Sequence, residues 1–97
     1  MSLVSKTFVI DDLSGTIYDF ERIGDLLPMH EHTQINNHIS IVSRGSFMAR
    51  GKSWTRELRL GAVVQWEPHD PHEFEALEPL SRLVNVKTNF QRNCSTP

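Results

Sequence analysis

The apolar residues of this chain come in short runs rich in β-branched and aromatic side chains, each cut off by turn-forming residues. An amphipathic helix needs an apolar stripe with a period of about 3.6 sustained over ten or more residues, and no segment here sustains one. Strands need only four to eight residues, and the runs have that length. The pattern therefore predicts an all-β chain. Strands are expected over residues 7–10, 16–23, 39–42, 47–50, 54–58, 60–66, 72–77 and 80–86. Between them lie turn segments such as Asp11-Asp12-Leu13-Ser14-Gly15, Ser43-Arg44-Gly45-Ser46 and Glu67-Pro68-His69-Asp70-Pro71. Some eight short strands at roughly 8–12-residue spacing describe a sandwich or barrel. Asp25-Leu26-Leu27 opens a helical turn that Pro28 would end at once. Residues 89–97 read as a loose tail.

The sequence of 97 residues fits one domain, expected over 1–97, and no linker or repeat divides it. Ten basic residues stand against 12 acidic ones, mixed along the chain, for a net charge of −2. That balance offers no basic stripe for phosphates and argues against a nucleic-acid partner. Apolar stretches such as Ala62-Val63-Val64 are too short to span a bilayer. The start, Met1-Ser2-Leu3-Val4-Ser5-Lys6, lacks the apolar segment of a secretion signal, and the lone Cys94 permits no internal disulfide. A cytoplasmic location is expected.

The five histidines fall at 30, 32, 38, 69 and 72. Side chains alternate along a strand, so His30 and His32 share one face and suit a common metal ion. His72 follows a Pro-bounded turn and can supply a ligand from another strand. Neutral imidazole binds iron, nickel, copper and zinc.

Glycine spacing gives these histidines a context. Gly24 is followed by five residues and then His30-Glu31-His32, and His38 precedes Gly45 by six residues. Gly61 stands eleven positions before His72, with Pro68 between them. The chain thereby resembles the two motifs of the cupin family, over residues 24–45 and 61–76, with fifteen residues between Gly45 and Gly61. The resemblance implies a small single-domain cupin, a double-stranded β-helix or jelly-roll barrel. It also implies one divalent transition-metal ion (iron, nickel, manganese, copper or zinc) held by His30, His32 and His72. The first motif ordinarily carries a glutamate before its last glycine. Counted back from Gly45 that position is His38, and counted forward from His32 it is Asn37. Carried over with His38, the shell is four histidines, neutral where the usual set is anionic. In the second motif Glu67 replaces the proline, His69 replaces the second glycine, and Ala76 replaces an asparagine.

Around this shell, Gln34 and Asn37 belong to the loop after His32, which borders the pocket in this family. Ser40 and Val42 share the face of His38 by alternation and are expected to point inward, with Ile39 and Ile41 pointing out. Trp66 is a candidate pocket wall. Arg50 and Arg56 would anchor a carboxylate if they faced inward, although exposure is the usual state of arginine. Glu31 and Glu73 alternate away from their histidines. His69 is expected to face solvent or the barrel mouth.

Two classes of function fit. One is a metal enzyme, first a dioxygenase acting on a small chelating organic substrate, otherwise an isomerase or lyase. The other is a non-catalytic barrel that binds or senses a small molecule. A homodimer is expected, with residues 7–10 as a contact.

Overall fold

The computed structural model describes residues 3–31 and 38–88. Nine strands run through it: β1 (Leu3–Ile10), β2 (Leu13–Phe20), β3 (Leu26–His30), β4 (His38–Arg44), β5 (Phe47–Arg50), β6 (Thr55–Leu58), β7 (Val63–Trp66), β8 (His72–Ala76) and β9 (Ser81–Thr88). They form a five-stranded sheet in the order β1-β2-β9-β4-β7 and a four-stranded sheet in the order β3-β8-β5-β6. All neighbours in both sheets are antiparallel. The all-β expectation holds, and the described residues contain no helix.

Alternation fixes what each sheet turns inward. On β4, His38, Ser40 and Val42 are buried while Ile39 and Ile41 are half-buried; on β8, His72, Phe74 and Ala76 are buried while Glu73 and Glu75 are half-buried. The core between the sheets holds Phe20, Val42, Phe47, Ala49, Leu58, Trp66, Phe74, Ala76 and Leu83. Its aromatic rings meet edge to face, Phe20 on Phe47 at 4.8 Å and Trp66 on Phe74 at 5.7 Å, the geometry that ring quadrupoles favour.

Most expected boundaries move: β1 begins at Leu3, β2 ends at Phe20, β4 runs to Arg44, β7 begins at Val63 and β9 runs to Thr88. Leu13, Ser14 and Gly15 belong to β2, because Asp11 and Asp12 alone make the hairpin turn, with Asp11 at φ 50°. The segment from Leu26 is a strand rather than a helical turn. Pro28 is tolerated there because β3 is an edge strand whose register slips between Leu27 and His30.

The motif glycines have a backbone reason. Gly24, Gly45 and Gly61 take φ values of 89°, 73° and 90°, a region costly to side chains. At Gly45 a Cβ would also collide with the Ser81 hydroxyl across the sheets' junction. His69, standing where the second motif has glycine, has φ 65°.

Candidate metal centre and pocket

His30 and His72 are directly paired in register between β3 and β8. Paired residues share a face, and here the rings touch, with centroids 4.5 Å apart at 67°. His38 and Trp66 are likewise register partners, between β4 and β7 of the opposite sheet. Trp66 completes the link by lying over His72, 4.0 Å between centroids and 13° between planes. Each sheet thus sends two residues into one space at one end of the barrel.

Hydrogen bonds fix the state of both paired imidazoles. His30 Nδ1 lies 2.8 Å from the carbonyl of Pro28, and His72 Nδ1 lies 2.7 Å from the carbonyl of Asp70. A carbonyl only accepts, so each Nδ1 carries the proton and, in the neutral ring, Nε2 carries the lone pair. The Nε2 atoms of His38 and His72 are shielded from solvent. Burial pushes the His72 pKa below the ordinary histidine value. The Asp70 carbonyl pulls it back up, and the neighbouring His30 and His38 push it down further. His72 is therefore neutral at physiological pH.

These are the properties of metal ligands: neutral imidazole, Nε2 as donor, and a carbonyl holding the far side of the ring. The donors present fit a first-row ion in chemistry. Among the described residues, no three His, Cys, Asp or Glu side chains gather closely enough to hold one ion. His32 lies outside the described residues, as do Gln34 and Asn37.

A cavity of about 390 Å³ opens beside the histidines, lined by His30 and His38 together with Phe8, Tyr18, Asn85 and Lys87 among others. Phe8 crosses from β1 over Gly15, where a Cβ would strike its ring and the Asn85 carbonyl. Ser40 and Trp66 do not line this cavity. Ser40 is buried, accepts a hydrogen bond from Trp66 Nε1 at 2.9 Å and donates to Asn85 Oδ1 at 2.6 Å. Trp66 lies over His72, and Ser40 fixes the Trp66 indole by accepting its N–H.

Sequence reasoning gave Tyr18 no role and did not reach Asn85 or Lys87. Their placement depends on register: Tyr18 opposite Leu83, Asn85 opposite Ser40, Lys87 opposite His38. His69, Glu31, Arg50 and Glu73 face away from this cavity. His69 is exposed and pairs with Glu31 at 3.2 Å, while Arg50 pairs with Glu73 at 3.0 Å and with Glu75.

Two sheets closed face to face, with a histidine pair between them, define a double-stranded β-helix barrel. Solved structures with the same architecture identify it further, and the chain has the cupin fold. It resembles KdgF from Halomonas sp. with a TM-score of 0.79 and 24% identity, covering 92% of this chain and 80% of that one. An RmlC-like cupin from Desulfovibrio desulfuricans gives 0.79 and 18%, covering 90% and 82%. A cupin-2 domain protein from Shewanella frigidimarina gives 0.70 and 13%, covering 88% and 79%. No protein-family model and no curated protein matches the chain. Among the described residues, no helix is long and apolar enough to cross a membrane.

Proposed function

We propose that the protein is a metal-dependent small cupin. In this reading His30, His32, His38 and His72 hold one divalent transition-metal ion beside a pocket for a small organic molecule. The observation that carries it is the His30–His72 pair, with rings in contact and each Nδ1–H donated to a backbone carbonyl. A bound ion would supply Lewis acidity or, if redox-active, oxygen activation. The chain's own residues shape the pocket: Tyr18 and Asn85 offer hydrogen-bonding groups, Lys87 a positive charge and Phe8 an apolar surface.

Among the described residues, no Asp or Glu lines this pocket. Proton transfer in this pocket would fall to an imidazole, Tyr18 or Lys87 rather than to a carboxylate; oxidation of a small chelating substrate by a dioxygenase-type reaction is the first reading, with an isomerase or lyase as its alternative. The lack of a carboxylate among the described lining residues fits, as a second reading, a barrel that binds or senses a small molecule without reacting. Oxygen uptake by the iron- or copper-loaded protein, challenged with a panel of small diols, hydroxy acids and thiols, separates the two. Uptake above the metal-only control supports the oxygenase. Binding without uptake or product leaves the sensor.

The proposal extends to assembly and location: a cytoplasmic homodimer without nucleic-acid or membrane partners. β1 is an edge strand on which Val4, Val9 and Ile10 are exposed, and exposed apolar edges invite pairing. Light scattering at micromolar concentration should give twice the chain mass; a monomer would refute the dimer.

A further inference from the structure

A second cavity, of about 400 Å³, lies beyond Trp66, lined by Ala49, Leu58 and Val64 and by Trp54, Arg56 and Asp70 among others. It shares no lining residue with the cavity at His30 and His38. Trp66 lines this second cavity and stacks on Trp54 at 5.8 Å and 22°, while its ring also lies over His72. We infer that this cavity is a separate binding site for a small organic carboxylate with a flat apolar body.

Arg56 supplies the positive charge, in a lining that also carries the Asp70 carboxylate. It lies directly opposite Ala49, which is buried in the core, and two residues before the buried Leu58. Opposed residues share a face and alternate residues share a face, so Arg56 stands on the barrel-facing side of edge strand β6. Arg50, Arg59 and Arg82 are each engaged by carboxylates. Among the described residues Arg56 has no such partner, although it lines a cavity whose floor is apolar. A guanidinium placed this way matches a carboxylate in a two-pronged geometry. The apolar floor and the Trp54 indole supply the surface for a planar body. The indole is held in place from behind, since a Cβ on Gly51 would collide with its Nε1.

Benzoate is the probe, with benzamide as its neutral counterpart of the same shape. Both of the chain's tryptophans line or wall this cavity, so their two indole N–H resonances in a ¹H–¹⁵N spectrum report on it. Benzoate should shift the Trp54 indole signal saturably, and benzamide should bind about tenfold more weakly. Arg56→Ala, an exposed edge-strand change, should weaken benzoate binding by a similar factor, with Arg56→Lys intermediate. Absence of a saturable shift, or equal benzoate affinity in Arg56→Ala, would overturn the site. So would loss of the effect in Lys87→Ala with retention in Arg56→Ala, since the anion would then occupy the cavity beside His38.

Discussion

The Trp66 indole and the His72 imidazole lie nearly parallel, 4.0 Å apart, and the indole is in turn hydrogen-bonded to Ser40 through Nε1. One residue of the five-stranded sheet thereby fixes the plane of a histidine on the other sheet. Trp66→Ala removes the ring from a core position that is 4% exposed. It should cost about 3–5 kcal/mol in urea unfolding, as large core deletions do. A loss below about 1 kcal/mol would mean that the ring is not structural.

Acid should weaken the metal-free protein through His72. Burial holds its folded-state pKa below the ordinary value, near 6.5 in an unfolded chain. At higher pH both states are neutral and nothing is gained or lost. As pH falls below about 6.5 the unfolded chain takes up a proton that the folded one resists, so stability falls with pH until the folded pKa is passed. The urea midpoint of the apo protein should begin to drop as the pH falls below about 6.5. A midpoint that holds steady, or a drop that His72→Asn leaves unchanged, would contradict this.

His69 has φ 65° and an exposed side chain whose partner is Glu31. His69→Gly should relieve left-handed strain of about 1–2 kcal/mol and lose about 0.4–1 through added freedom of the unfolded chain. A net gain of about 0.5–1 kcal/mol is expected in thermal or urea unfolding, with metal loading unchanged. A fall in loading would make His69 part of the centre.

Gly45→Ala meets both a φ of 73° and a collision with the Ser81 hydroxyl. The two effects together should cost at least about 2 kcal/mol. Gly24 has a similar φ of 89° but no atom within 4 Å of a Cβ, so Gly24→Ala should cost less. Equal losses would show that the collision relaxes freely.

What was legible in the sequence depended on local backbone demands. Gly24, Gly45 and Gly61 mark turns that need positive φ wherever the strands go, and His38, Ser40 and Val42 turn inward by simple alternation. His69, standing where the second motif has glycine, also takes a positive φ, 65°. β3 was missed because Leu26-Leu27-Pro28-Met29-His30 neither alternates nor avoids proline, and only its place at a sheet edge makes it a strand. Tyr18, Asn85, Lys87 and the inward stance of Arg56 were illegible for a different reason. Each follows from which residue lies opposite it on a distant strand, and a slip of one position would reverse every face. The family resemblance already put His30 and His72 in one shell; the structure adds their direct register pairing between β3 and β8, across 41 residues of intervening sequence.

The reading rests on the histidines holding a metal ion, and elemental analysis of protein purified without chelators or metal-affinity resin tests it most directly. Close to one first-row transition-metal ion per chain is expected, falling to background in His72→Ala, which should remain soluble and folded by circular dichroism. Protein that carries no metal and takes none up from iron, nickel, manganese, copper or zinc salts would contradict the proposed centre, as would His72→Ala that loads in full.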